Sequence, residues 1–393
     1  MDPRQNQPRN PAGRKTAFQF IVLLGVVSLF GDITYEGARS ITGPYLALLG
    51  TGAGIVGLVG GLGESIGYVL RLASGYFADR TRAYWTLTFI GYGLILSTPM
   101  LAFAGHWHAA ALLIILERAG KAIRTPARDT ILSHATKQVG RGLGFGIHEA
   151  LDQVGAVLGP LIFTTVFLFK GSYQEGFSIL WIPGLLTLAF LVLARLRVPA
   201  PEKLEAGEAR AAGGKLPRAF WLYTAFSFLS VAGFANFQLI SFHFKTQSIV
   251  SDIQIPIFYA IAMVVDAVVA PVIGKTYDRV GLSSLVAVPV LTIPLPFFAF
   301  SHSYAFAVLG VILWGGVMGI HETIMRAAIA DFSPIERRGF AYGVFNTAYG
   351  VAWLVGGALM GLLYEVSLHY LIIFAVLAEA LSIAVFLRLR KAL

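Results

Sequence analysis

No cysteine occurs among the 393 residues. Disulfides, thiolate metal sites and cysteine nucleophiles are therefore excluded, and the redox compartment goes unread. Charge is scarce as well: 13% of residues are Asp, Glu, Lys or Arg, where a soluble domain carries roughly 25%. A soluble chain of this length needs more polar surface than this one can supply. The sequence has no nucleotide-binding loop, no nucleophile motif and no tight metal-ligand motif. Gly142-Leu-Gly-Phe-Gly-Ile147 is not a dinucleotide fingerprint, because no strand precedes it. Enzyme activity, a cofactor and a bound metal are not expected. Nor is a cleavable signal peptide: residues 1–16 are polar and basic, and the apolar stretch that follows is too long for a signal core.

What is abundant is apolar sequence, 56% of residues. Stretches of about 20 apolar residues recur from Phe18 onward, long enough to cross a bilayer as helices. They do not alternate over about 10 residues as barrel strands would. The expectation is an all-α polytopic membrane protein with spans near 17–47, 53–79, 83–104, 108–132, 139–168 and 174–195, then 218–246, 255–277, 282–300, 304–331, 337–364 and 367–388. This divides the chain into an N-terminal tail (1–16), a first six-helix half (17–196), a linker (197–217) and a second half (218–393). The linker holds Pro199, Pro201, Gly213 and Gly214 among charged residues and cannot be a span.

The net charge of +9 sits mostly at span ends on one side. Arg80, Arg82, Lys137, Arg141, Lys275, Arg279, Arg337 and Arg338 follow even-numbered spans, and both tails add more. The positive-inside rule makes both termini cytoplasmic. Nucleic acid is not an expected partner; a lipid bilayer, a small-molecule substrate and protons are, with a monomer as the working unit. A bacterial inner membrane is the expected location.

Internal repetition supports the layout. Gly75-Tyr-Phe-Ala-Asp79-Arg80 returns as Gly274-Lys-Thr-Tyr-Asp278-Arg279, 199 residues on. Arg141-Gly-Leu-Gly-Phe-Gly146 returns as Arg338-Gly-Phe-Ala-Tyr-Gly343, 197 residues on, and Gly159 maps onto Gly356 at the same offset. Carriers built from such repeats bind substrate near the midplane between them.

The run Gly75 to Arg80 resembles the loop signature of the major facilitator superfamily, a resemblance that extends over residues 17–390. This sequence departs where Arg82 replaces a glycine and Ala83 and Tyr84 replace a basic pair; the second copy keeps Gly281. The resemblance implies a twelve-helix secondary transporter working by alternating access. It places Gly75, Asp79 and Arg80, with Asp278 and Arg279, at a cytoplasmic gate that breaks when the halves rock. Gly155-Ala-Val-Leu-Gly159-Pro160 resembles the motif of proton-coupled efflux members, in which small residues allow close helix approach and proline bends the helix. Generic helix packing is the alternative reading of that motif.

Ionisable residues inside a membrane are costly, by about 2.5–3.5 kcal/mol on insertion scales, and normally face the interior. Asp32, Glu36 and Arg39 share one face of span 1, and Glu64, Tyr68 and Arg71 one face of span 2. A carboxylate moved between an apolar setting and an arginine changes its proton affinity. This makes Asp32, Glu36 and Glu64 candidates for proton coupling, with a static Glu36–Arg39 pair as the alternative. In span 4, Glu117, Lys121, Arg124 and Arg128 share a face and Arg118 lies on another. The resemblance gives Arg118 a part in proton transfer, with Lys121 as the alternative. Asp152, near His148 and Glu149, is a further coupling candidate or an ion-pair partner of Arg118 or Lys121. Arg39, Tyr68, Glu117, Lys121, Asn236, His321, Glu322 and Asn346 are expected to contact substrate. Glu322 and Arg326 are spaced to pair. Phe234, Phe237, Phe242 and Trp353 could line an apolar pocket. Together these residues point to proton-coupled export of a small, partly apolar organic molecule. The alternatives are transport of an organic anion or metal chelate and, behind it, a divalent-metal carrier or a non-transporting receptor.

Overall fold

A computed structural model describes residues 11–139, 141–199, 216–332 and 338–391. Among these residues the regular structure is helical and no strand occurs. The first half contains α1 (Pro11–Leu48), α2 (Ala53–Thr81), α3 (Tyr84–Gly93), α4 (Trp107–Val139), α5 (Arg141–Leu168), α6 (Tyr173–Ile179) and α7 (Trp181–Arg197). The second contains α8 (Arg218–Ala232), α9 (Phe237–Thr246), α10 (Gln254–Val280), α11 (Ala287–Thr292), α12 (Leu295–Ala299), α13 (Tyr304–Asp331), α14 (Arg338–Val366) and α15 (Leu368–Lys391).

Ten helical stretches among the described residues are long and apolar enough to cross a membrane. Two regions separate this number from the twelve expected. Helix α4 is long but dense in charge, and the 46-residue stretch Gln254–Ala299 contains two expected spans with a break at Gly281. Its lipid-facing surface identifies the chain as an integral membrane protein: large apolar residues such as Leu185, Val268, Leu377 and Leu381 point outward.

Several spans are interrupted where regular hydrogen bonding fails. The third expected span ends in 3₁₀ turns at Leu94–Ser97 and Pro99–Phe103. Between α8 and α9 the chain unwinds over residues 233–236. Broken backbone at membrane depth must find partners inside the protein. Here the Trp314 indole donates to the Ala235 carbonyl at 2.9 Å, and the Asn236 side chain accepts from the Leu239 amide at 2.8 Å, capping α9.

Glycine decides how closely helices cross. A side chain on Gly159 of α5 would meet the Ile33 carbonyl of α1 at 2.5 Å and the Gly37 amide at 2.7 Å. A side chain on Gly356 of α14 would meet the Ala232 carbonyl of α8 at the same 2.5 Å. Gly155 likewise sits over Leu29 and Asp32 of α1. Helix α5 runs unbroken through Pro160, so the Gly155–Gly159–Pro160 motif is a packing seam between α1 and α5.

Candidate functional site

Helices α1, α2, α4, α5, α10, α13 and α14 surround a central cavity of about 500 Å³. One end of it is closed. There α1 meets α9 at Gly43 and Gln238, and α2 meets α14 where Gly57 faces Gly357 and Gly361. Glu365 of α14 accepts from the Gly54 amide of α2 at 2.8 Å, capping the first turn of that helix. Exposed Phe145, Gly146 and Glu149 line the other end, where Gly144 of α5 lies against Ile21 of α1 and Thr136 of α4. The cavity therefore opens towards the end where α1 begins and α4 finishes.

The lining is dominated by charge. Eight carboxylates face it (Asp32, Glu36, Glu64, Asp129, Glu149, Asp152, Asp266 and Glu322), with six cations (Arg39, Arg71, Arg118, Lys121, Arg124 and Arg128). Glu64 is the hub. One of its oxygens accepts from Arg39 at 2.8 Å and faces Arg118 at 2.9 Å, joining α1, α2 and α4. Arg39 also lies 3.6 Å from Glu36, the pair its helical spacing allows, and Lys121 lies 4.0 Å from the other Glu36 oxygen. The Tyr259 hydroxyl of α10 donates to Glu36 at 2.5 Å, tying the first half to the second. The Tyr35 ring is surrounded by Lys121, Arg118 and Arg39 at 4.2, 4.5 and 5.8 Å from its centroid. Towards the open end, Arg128 bonds Asp129 at 2.9 Å and the Ser28 hydroxyl at 3.1 Å, and Ser28 lies 3.0 Å from His148.

All five residues proposed for proton coupling, Asp32, Glu36, Glu64, Arg118 and Asp152, line this cavity. Asp32 and Asp152 make no ion pair within 4 Å among the described residues, and one Asp152 oxygen is buried without a hydrogen bond. The expected pairing of Asp152 with Arg118 or Lys121 is thus absent; Arg118 is taken by Glu64.

The expected substrate contacts divide. Arg39, Tyr68, Lys121 and Glu322 line the cavity; Glu117, Asn236, His321 and Asn346 do not. Glu117 binds Arg124, itself a lining residue, at 3.4 Å, and borders a smaller neighbouring pocket with Tyr35, Arg39 and Arg118. Asn236 lies between Gly60 and Gly357 in the closed end, its oxygen engaged in the cap and its amide nitrogen buried without a hydrogen bond among the described residues. His321 packs edge-on to Phe234 with its Nδ1 3.4 Å from the Tyr349 hydroxyl. Phe234 stacks on Trp314, Phe237 meets it edge-on, and Phe242 packs against Tyr364; all three are core residues, whereas Trp353 does reach the cavity. Asp266 had no assigned role in the sequence, yet it is buried and faces the cavity.

At the proposed gate, a side chain on Gly75 would lie 3.6 Å from Pro126, Arg80 is exposed and bonds the Tyr76 hydroxyl at 3.0 Å, and Asp278 and Arg279 are exposed. The side chains of Asp79 and Arg326 lie outside the described residues, and with them the Asp79 latch and the Glu322–Arg326 pair.

Comparison with known proteins agrees with this architecture. An uncharacterized protein of Mycobacterium tuberculosis is 41% identical over 383 residues, covering 95% of this chain and 94% of its own. An uncharacterized MFS-type transporter of Methanocaldococcus jannaschii is 26% identical over 377 residues, 92% of this chain and 93% of its own. The class E tetracycline resistance protein of Escherichia coli is 28% identical over 191 residues, 46% of this chain and 43% of its own. Among solved structures, a POT family transporter in complex with 5-aminolevulinic acid superposes with a TM-score of 0.76 at 13% identity, over 95% of this chain and 96% of that one. The profile of the Major Facilitator Superfamily matches residues 21–357. With its helical bundle, its repeated glycine contacts and its charged cavity at the centre, the chain belongs to the major facilitator superfamily of membrane transporters.

Proposed function

We propose that the protein is a proton-coupled exporter of small organic molecules, working by alternating access between two six-helix halves, residues 17–196 and 218–393. The observation that carries the reading is the placement of Asp32 and Asp152. Both face an open cavity, and neither has a cation within 4 Å among the described residues to hold it as an anion. Such groups can exchange protons with whichever side the cavity faces. Similarity to tetracycline resistance proteins of Escherichia coli and Pasteurella multocida favours export as the direction. The charge bias favours cytoplasmic termini, so the open end faces the cytoplasm. A bacterial inner membrane and a monomeric unit complete the reading.

In this cycle the cavity loads substrate from the cytoplasm while Asp32 or Asp152 gives up a proton. Opening to the other side requires the Glu36–Tyr259 and Glu365–Gly54 bonds between the halves to break. Protons arriving from outside then displace substrate, and the halves return. Glu64 holds Arg39 and Arg118 throughout, so charge is added or removed around a fixed centre.

The test is flux in proteoliposomes with the cavity's cytoplasmic end outward and an acid lumen. Tetracycline and phenyltrimethylammonium are the first probes. Their accumulation in the lumen, driven by the gradient and abolished by a protonophore, is the expected result. Folded protein that moves neither probe against the gradient, or that carries probe and proton in the same direction, contradicts the reading.

A further inference from the structure

We infer that the transported molecule carries a positive charge, and that Asp266 and Glu322 hold it. This rests on the reading of the central cavity as the transport site. Six cations line the cavity, which invites an anionic substrate, but they are engaged. Arg39 and Arg118 share Glu64, Arg124 holds Glu117 and Arg128 holds Asp129. Lys121 sits over the Tyr35 ring 4.0 Å from Glu36, and Arg71 over the Tyr68 ring. An arriving anion would compete with carboxylates already in place.

The opposite wall is the reverse. Asp266 of α10, Glu322 of α13 and Glu149 and Asp152 of α5 all face the cavity, and none makes an ion pair among the described residues. Asp266 is the sharpest case. It is 3% exposed, lines the cavity and makes no side-chain hydrogen bond among the described residues. The charged groups facing it are Glu322, Glu149, Glu36 and Arg39. Three repeat its own sign, and Arg39 is bound to Glu64 and Glu36. A buried carboxylate without a partner is costly, and among the described residues Arg39, already shared by two other acids, is the cation that faces this one. A cation from outside compensates it. Met263, Met318 and Trp353 line the cavity beside these acids and offer polarizable and aromatic faces to the rest of an organic cation. Substrate and protons then compete for one negative wall, which links this site to antiport without direct contact between substrate and Asp32.

Three probes of like shape separate charge from size: phenyltrimethylammonium, neutral methyl phenyl sulfone and benzenesulfonate. None titrates, so any pH dependence belongs to the protein. Binding is measured by calorimetry on purified wild type, Asp266→Asn and Glu322→Gln, with the melting temperature of each ligand-free variant recorded to exclude misfolding. The expected result is preference for phenyltrimethylammonium at pH 8, weakening towards pH 5 as carboxylates take up protons, and an affinity loss of about tenfold or more in either variant. Equal binding of the three probes, preference for benzenesulfonate, no binding of the cation by folded wild type, or unchanged binding in both folded variants overturns the assignment. Selective cation binding without gradient-driven flux would leave this site standing and remove the exporter reading. Gradient-driven flux of neutral or anionic probes alone would do the opposite.

Discussion

The two repeats of this chain use the same helix crossings to carry opposite chemistry. In the first, Gly159 of α5 rests on the Ile33 carbonyl of α1; in the second, Gly356 of α14 rests on the Ala232 carbonyl of α8. Ala232 follows Ile33 by 199 residues and Gly356 follows Gly159 by 197, the offsets of the sequence repeats. Around this shared seam the side chains diverge. Tyr35, Glu36, Glu64, Glu117 and Lys121 stand at the positions of Phe234, Ala235, Met263, Trp314 and Met318. The first repeat builds a buried ion network; the second builds an aromatic and methionine core. Backbone follows the substitution: where α1 is continuous through Glu36, the chain breaks at Ala235, and Trp314 at the Glu117 position takes up the freed carbonyl. Small residues at crossings fix the architecture, while the bulky positions between them are free to specialise.

The comparison breaks most readily at Glu64. Glu64→Gln leaves two buried guanidinium groups without their shared anion and should lower stability by about 3–5 kcal/mol. The change Met263→Leu at the matching position should cost less than about 1.5 kcal/mol. Thermal or denaturant unfolding in detergent checks both, and equal losses would show that the ion network is not what distinguishes the repeats. The shared seam makes the converse prediction. Gly159→Leu and Gly356→Leu should each cost about 1–3 kcal/mol or more by overpacking, and to a similar degree; a large effect in only one would deny the equivalence. The smallest effect concerns the loop signature. Arg82 ends α2 in the left-handed region at φ 54°, where the signature has glycine, and Gly281 ends α10 at φ 60°. Arg82→Gly should raise stability by about 1 kcal/mol by removing Cβ strain, and Gly281→Ala should lower it.

Much of this was legible in the sequence. Apolar runs of span length gave the helical bundle, because a bilayer forces backbone groups to pair within the segment. The repeats gave the two-part plan, and periodicity placed Asp32, Glu36, Arg39, Glu64 and Lys121 on faces that do meet at the cavity. Periodicity does not say which way a face points, however. Glu117 shares a stripe with Lys121 yet is not part of the cavity lining, being paired with Arg124. Asn236, His321 and Asn346 were expected at the cavity and are not part of its lining, Asn236 because the break before α9 needed a cap. Asp266, a lone acid in an apolar span, was marked by its cost in the membrane but given no role, since its significance comes from Glu322 and Glu149 on other helices. The clamp of Glu64 on Arg39 and Arg118 is likewise a meeting of three helices that no single stretch contains.

In the proposed cycle, titration in the first repeat drives transport through the cavity. Asp32 lines that cavity on α1, one turn from Glu36, and its carboxylate makes no ion pair among the described residues. Asp32→Asn keeps its shape and removes its proton. In proteoliposomes the variant should bind phenyltrimethylammonium within about threefold of wild type and retain exchange without a gradient. Its flux driven by an acid lumen should fall at least about tenfold. Gradient-driven flux equal to wild type, with the same pH dependence, would contradict the claim.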